Sequence, residues 1–187
     1  MIPNFLDPKT IYLILHVFGA ILGAGGAFAS DAMFFSTIKD GRINHDELRF
    51  MKLGGKLVWL GITILIISGI LLVSMDPSKY LMSDKFLSKM TIVVLIIING
   101  GIFHLIHIPH IRDHIGIRFK DSPTFIKRAP LVLASGALSM ISWITVVILG
   151  MLKDVPYTYI EIMGTYVAIV AVAIIGAMVM KKVIFRL

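Results

Sequence analysis

The sequence predicts an all-α integral membrane protein, a bundle of five transmembrane helices forming one membrane domain over residues 1–187. Three observations carry that expectation. Of the 187 residues, 57% are hydrophobic and only 16% are charged, whereas a soluble domain carries about a quarter charged residues. The apolar residues gather into five runs, each near the roughly 20 residues that cross a bilayer at 1.5 Å per residue. The 18 Lys and Arg residues also sort by loop. Lys39, Arg42, Arg49, Lys52, Lys56, Arg112, Arg118, Lys120, Lys127, Arg128, Lys181, Lys182 and Arg186 fall on one side; Lys9, Lys79, Lys85, Lys89 and Lys153 fall on the other. The richer side is expected in the cytoplasm, with the N-terminus outside and the C-terminus inside. The net charge of +7 is explained by this bias, and no nucleic-acid partner is expected.

The first span, about residues 10–38, carries His16 near one end and Asp31 near the other, with Gly19, Gly23, Gly25 and Gly26 between them. At about 100° per residue, His16, Gly19, Ala20, Gly23, Ala27, Ser30 and Asp31 share a face. Ala27-Phe28-Ala29 resembles a leader-cleavage site, but the preceding apolar run is long and its flank is nearly uncharged, so no cleaved leader is expected. Asp40-Gly41 breaks the span. The 39–53 loop then reads as an exposed turn and short amphipathic helix, capped by Asn44. The remaining spans are expected at about 54–75, 86–108, 130–151 and 157–180. Asp76-Pro77 ends the second, Pro109 perturbs the end of the third and Pro156 opens the fifth. The chain contains no cysteine, which excludes disulfides and thiolate metal sites.

Ionisable residues inside a bilayer are costly and mark functional sites by default. Helix depth divides them into two layers. The outer layer holds His16, Lys89 and Glu161. The inner layer holds Asp31, His104 and His107, with His110 and His114 at or beyond the membrane boundary. Small residues at these spacings also pack helices directly, so Gly19-x-x-x-Gly23 is equally explained by close helix contact. Lys89 has the competing explanation of snorkelling to the surface.

Three chemistries fit the pattern. A haem b needs an imidazole on an interior face with small residues beside it; His16 with Gly19 and Gly23 meets that requirement. His104 lies roughly 15 Å deeper than His16 at 1.5 Å per residue. Two axial ligands are separated by only about 4 Å, at about 2 Å from metal to each nitrogen, so these histidines cannot share one iron. Lys89 or water faces His16, while a second haem on His104 or His107 would draw on a ligand such as Met33. The second chemistry is a metal site at Asp31, His104 and His107. The third is proton transfer or proton-coupled transport through the same groups. A structural membrane subunit, with its stripes used only for packing, is the alternative without a cofactor.

Leu15-His16-Val17-Phe18-Gly19-Ala20, Trp59 with Ser68-Gly69-Ile70, and the helix opening Asp84-Lys85-Phe86-Leu87-Ser88-Lys89 carry a resemblance over about residues 10–110. They resemble small haem-binding membrane proteins, the HemJ-type protoporphyrinogen IX oxidases and CopD-like domains. The resemblance implies haem b, with His16 and Lys89 as the functional pair; helix face and depth place Gly19, Gly23 and Glu161 with them. It further implies a membrane oxidoreductase of a bacterial inner membrane, working with a redox partner, a quinone or a porphyrin. The first-helix histidine lacks the tryptophan that follows it in that group, and Asp31 and His104, His107 and His110 lie outside its pattern. The glycine faces also predict a homo-oligomer in membrane lipid.

Overall fold

The computed structural model describes residues 7–184, apart from the side chains of 37–40, 120 and 180–184. Among the residues of the charge pattern, Arg186 and the side chains of Lys39, Lys120, Lys181 and Lys182 lie outside the described residues. The chain folds into α1 (Pro8–Asp40), α2 (His45–Met75), a short α3 (Pro77–Leu81) and α4 (Asp84–Ile102). A π-helical turn (Phe103–His107) leads from α4 into α5 (Ile108–Arg112), and α6 (Pro123–Met151) and α7 (Tyr159–Ile184) follow. Five helical stretches are long and apolar enough to cross a membrane: Pro8–Ser36, His45–Met75, Asp84–Arg112, Pro123–Met151 and Tyr159–Val179. In the most apolar 18-residue window of each, at most 28% is buried inside the bundle. Ile, Leu, Val and Phe side chains cover the outside, a surface suited to hydrocarbon and untenable in water. This is a multi-pass helical membrane protein.

Two helices start earlier than the hydropathy predicts. Asn44 caps α2 with a reciprocal capping box: its side chain accepts the Glu47 N–H at 2.9 Å, and Glu47 accepts the Asn44 N–H at 2.8 Å. No breaker follows, so one helix runs from His45, and Leu48 and Met51 bury where a separate short helix was expected. At α6, Ser122 accepts the Phe125 N–H at 3.2 Å and Pro123 takes a first-turn position, where its missing N–H costs nothing. Pro130, the expected start, lies inside the helix instead.

α1 and α2 are antiparallel and touch along a seam of glycines. A Cβ placed on Gly61 would lie 2.6 Å from the Gly19 carbonyl oxygen and would strike the Gly23 backbone. One turn-pair further on, a Cβ on Gly26 would lie 2.7 Å from the Gly54 oxygen, and the reverse holds for Gly54. The two contacts are one heptad apart on each helix, so they recur on the same face. Trp143 of α6, 1% exposed, seats its ring on Gly23. Around it gather Ala24, Ala27, Ile62, Ile92, Ile96, Val146 and Leu149.

A second apolar cluster lies under the basic loops, where Ile43, Met51, Ile111, Phe119 and Phe125 are all buried. Those loops pair through their backbones. The Gly116 N–H donates to the Ile43 oxygen at 2.8 Å, and the Phe119 N–H donates to the Gly41 oxygen at 2.9 Å. Gly41 and Gly116 have φ of 67° and 77°, a left-handed backbone that glycine adopts without penalty.

Polar groups fasten α4 to α6 in the apolar interior. The Asn99 amide donates to the Ser135 carbonyl at 3.0 Å, and the Ser135 hydroxyl donates to Asn99 Oδ1 at 2.8 Å. Replacing Asn99 by leucine is expected to cost about 1 kcal/mol, the scale of interhelical hydrogen bonds in membranes. Equilibrium unfolding in mixed micelles measures this; an unchanged midpoint would show that the clamp adds no net stability.

Candidate functional site

The fold brings polar groups together at two levels. At the level nearer the N-terminus of α1, His16 Nδ1 lies 3.0 Å from Ser68 Oγ on α2. The Ser68 hydroxyl is itself directed at the Ile64 carbonyl, 2.6 Å away in its own helix. A Ser68 hydroxyl engaged in this way can accept from His16 Nδ1–H, the tautomer that leaves the lone pair on Nε2. Gly69 lies beside the ring, its Cβ position 3.5 Å from the imidazole. Lys89 of α4 is half-buried, its Nζ 3.5 Å from the Cβ position of Gly150 on α6. It lies within electrostatic reach of His16. The predicted outer pair is therefore brought to one level from separate hairpins.

Other residues expected at this level have different roles. Gly19 and Gly23 are occupied by the contacts with Gly61 and Trp143, so the small face of α1 is a packing seam with no gap for a porphyrin between α1 and α2. Glu161 is exposed and belongs to a capping box, accepting the Thr158 N–H at 2.8 Å and its hydroxyl at 2.9 Å. The Thr-x-x-Glu spacing signals this box in the sequence. Lys85, one turn from Lys89, donates to the carbonyls of Leu152 and Lys153 at 2.8 and 3.1 Å, closing the end of α6.

At the second level, Asp31 and His104 line one cavity of about 40 Å³, with Asn99, Ser139, Trp59 and Trp143 among its walls. Asp31 lies against α6, Oδ1 3.6 Å from the Cβ position of Gly136. His107 does not join them. It is 2% exposed and sets its ring edge-on to Phe103, while His104 is exposed. Among the described residues no three His, Asp or Glu side chains are placed to hold a metal ion. The structure therefore does not bring Asp31, His104 and His107 together as one group.

The cause is local. Pro109 has no N–H and crowds the carbonyl four residues back, and the preceding turn widens so that the Ile108 N–H reaches the Phe103 oxygen. This i→i+5 spacing changes the angular step between His104 and His107, which a uniform 100° per residue had placed on one face. His110 differs from expectation as well. It is buried rather than at the surface, stacked on Phe125 at 5.7 Å.

Between the two levels the five spanning helices contribute apolar residues: Ala24 and Ala27 on α1, Ile62 on α2, Ile92 and Ile96 on α4, Trp143 and Val146 on α6, and Ile162 on α7. Ser68 and Trp143 are the residues whose roles spacing along single helices does not reveal. Ser68 reaches His16 through the antiparallel packing of α1 on α2, whose register the glycine contacts set. No family model, curated protein or solved structure matches the chain.

Proposed function

We propose that this is a haem b-binding membrane protein in which His16 Nε2 is the iron ligand and Lys89 provides the opposing ligand or a contact to a propionate or substrate. The observation that supports it is the His16–Ser68 hydrogen bond. Imidazoles that bind metal donate their other ring N–H to a fixed acceptor, which sets both tautomer and orientation. The donor chemistry fits the group, but the two cavities at the second level do not. The cavities of about 40 and 20 Å³ are water-sized and neither is lined by His16.

When bound, haem b supplies one-electron redox chemistry. Ser68 holds the imidazole, and the Lys89 cation attracts an anionic carboxylate brought beside it. A role in redox or porphyrin chemistry follows, in the inner membrane with the basic loops in the cytoplasm. A quinone, a porphyrin or a redox protein is the proposed partner. Transport through both layers has less support, because the apolar plug around Trp143 separates them.

The purified full chain is expected to be red, with a Soret band, or to acquire one on addition of haemin. A colourless protein that takes up no haemin would overturn the assignment.

A further inference from the structure

The second polar level is not used by the haem proposal, and its features are separate from it. Asp31 Oδ2 is buried without a hydrogen-bond partner, and none of the ion pairs among the described residues involves Asp31. Asp31, Ser30 and Phe103 line both the cavity of about 40 Å³ and a second one of about 20 Å³. A water needs room for about one probe sphere and two or more polar partners, and both cavities are large enough to admit water. Asn99, Ser139 and His104 supply polar partners beside the carboxyl. Of the groups that α2, α4, the π-helical turn and α6 turn toward these cavities, His104 is the other titratable one, and it is exposed. A buried carboxylate oxygen with neither an ion pair nor a hydrogen bond is costly in a bilayer. Water and a proton are what this geometry provides room for.

We propose that Asp31 is a hydrated proton-exchange site, whose carboxyl trades its proton with cavity water and with the exposed His104 imidazole. In the step, the Asp31 Oδ2–H bond breaks to a cavity water, which passes one proton to a neutral His104 nitrogen. The products are a carboxylate and an imidazolium, and the reverse step restores both. The site operates independently of His16 and of haem.

Infrared spectroscopy of the full chain in liposomes tests this without any activity assay. Near neutral pH a carboxylic-acid C=O stretching band is expected that disappears in Asp31→Asn, moves in Asp31→Glu and shifts when H2O is exchanged for D2O. If the asparagine variant fails to fold, Asp31→Glu still assigns the band, because it retains a carboxyl at a new position. Absence of any Asp31-dependent acid band would overturn the proposal, and sodium-dependent stabilisation alongside that absence would assign the cavity to a metal cation. A band that resists D2O would overturn it as well, by showing the cavity to be dry.

Discussion

Gly61→Val is expected to unfold or severely destabilise the protein in detergent, whereas Gly25→Ala is expected to leave it as stable as the native chain or slightly more so. The difference comes from what a side chain would meet. At Gly61 a Cβ meets the Gly19 oxygen at 2.6 Å and the Gly23 backbone, and backbone atoms in a packed helix cannot rotate away. The helices would have to separate, breaking the Gly26–Gly54 contact and the seat of Trp143 together. Overpacking in an ordinary core costs about 1–3 kcal/mol, and a backbone wall places this case at the upper end or beyond. At Gly25 nothing lies within 4 Å, and alanine improves helix propensity by up to about 1 kcal/mol. Thermal unfolding followed by size-exclusion chromatography distinguishes the two. Equal stability of both variants would mean that α1 and α2 are not in backbone contact.

His16→Ala is expected to remove the Soret band entirely, and added imidazole is expected to restore part of it by filling the vacated position. Ser68→Ala should retain the ligand but release its orientation, weakening haem affinity by about 10–100-fold. His104→Ala should leave the spectrum unchanged, because the apolar plug of Ile62, Ile92 and Trp143 separates it from His16. Haemin titration of the three variants gives these affinities. Equal loss from His16→Ala and His104→Ala would contradict the separation of the two levels, and an intact spectrum in His16→Ala would remove this histidine as the ligand.

The candidate site was legible to different extents in its two halves. His16 and Lys89 were placed at one level by counting residues from the helix ends, and rise per residue is nearly constant in an α-helix. The same counting put Asp31 level with His104. It failed for His107, where Pro109 widens the preceding turn and changes the angular step on which face assignment depends. Glu161 was counted into the outer layer by depth, although Thr158 three residues earlier signals the capping box that engages it. The glycine face of α1 carried two explanations of equal standing, cofactor groove or helix contact. Spacing cannot separate them, because both require the absence of a side chain on the same face.

Apolar run length and the scarcity of charge determine by themselves that the chain is a five-span helical membrane protein, since a bilayer admits helices only where backbone hydrogen bonds are satisfied internally. They also determine the depth of each ionisable residue along its own helix. What lies across from each residue is decided by tertiary structure alone. Only the packed bundle puts Ser68 against His16, Gly61 into the face that a porphyrin would have needed, and Trp143 between the two polar levels. The physical reason is that spacing reports rotation and rise within one helix, while register between helices is set by where backbones can approach most closely, and here that is the glycine seam.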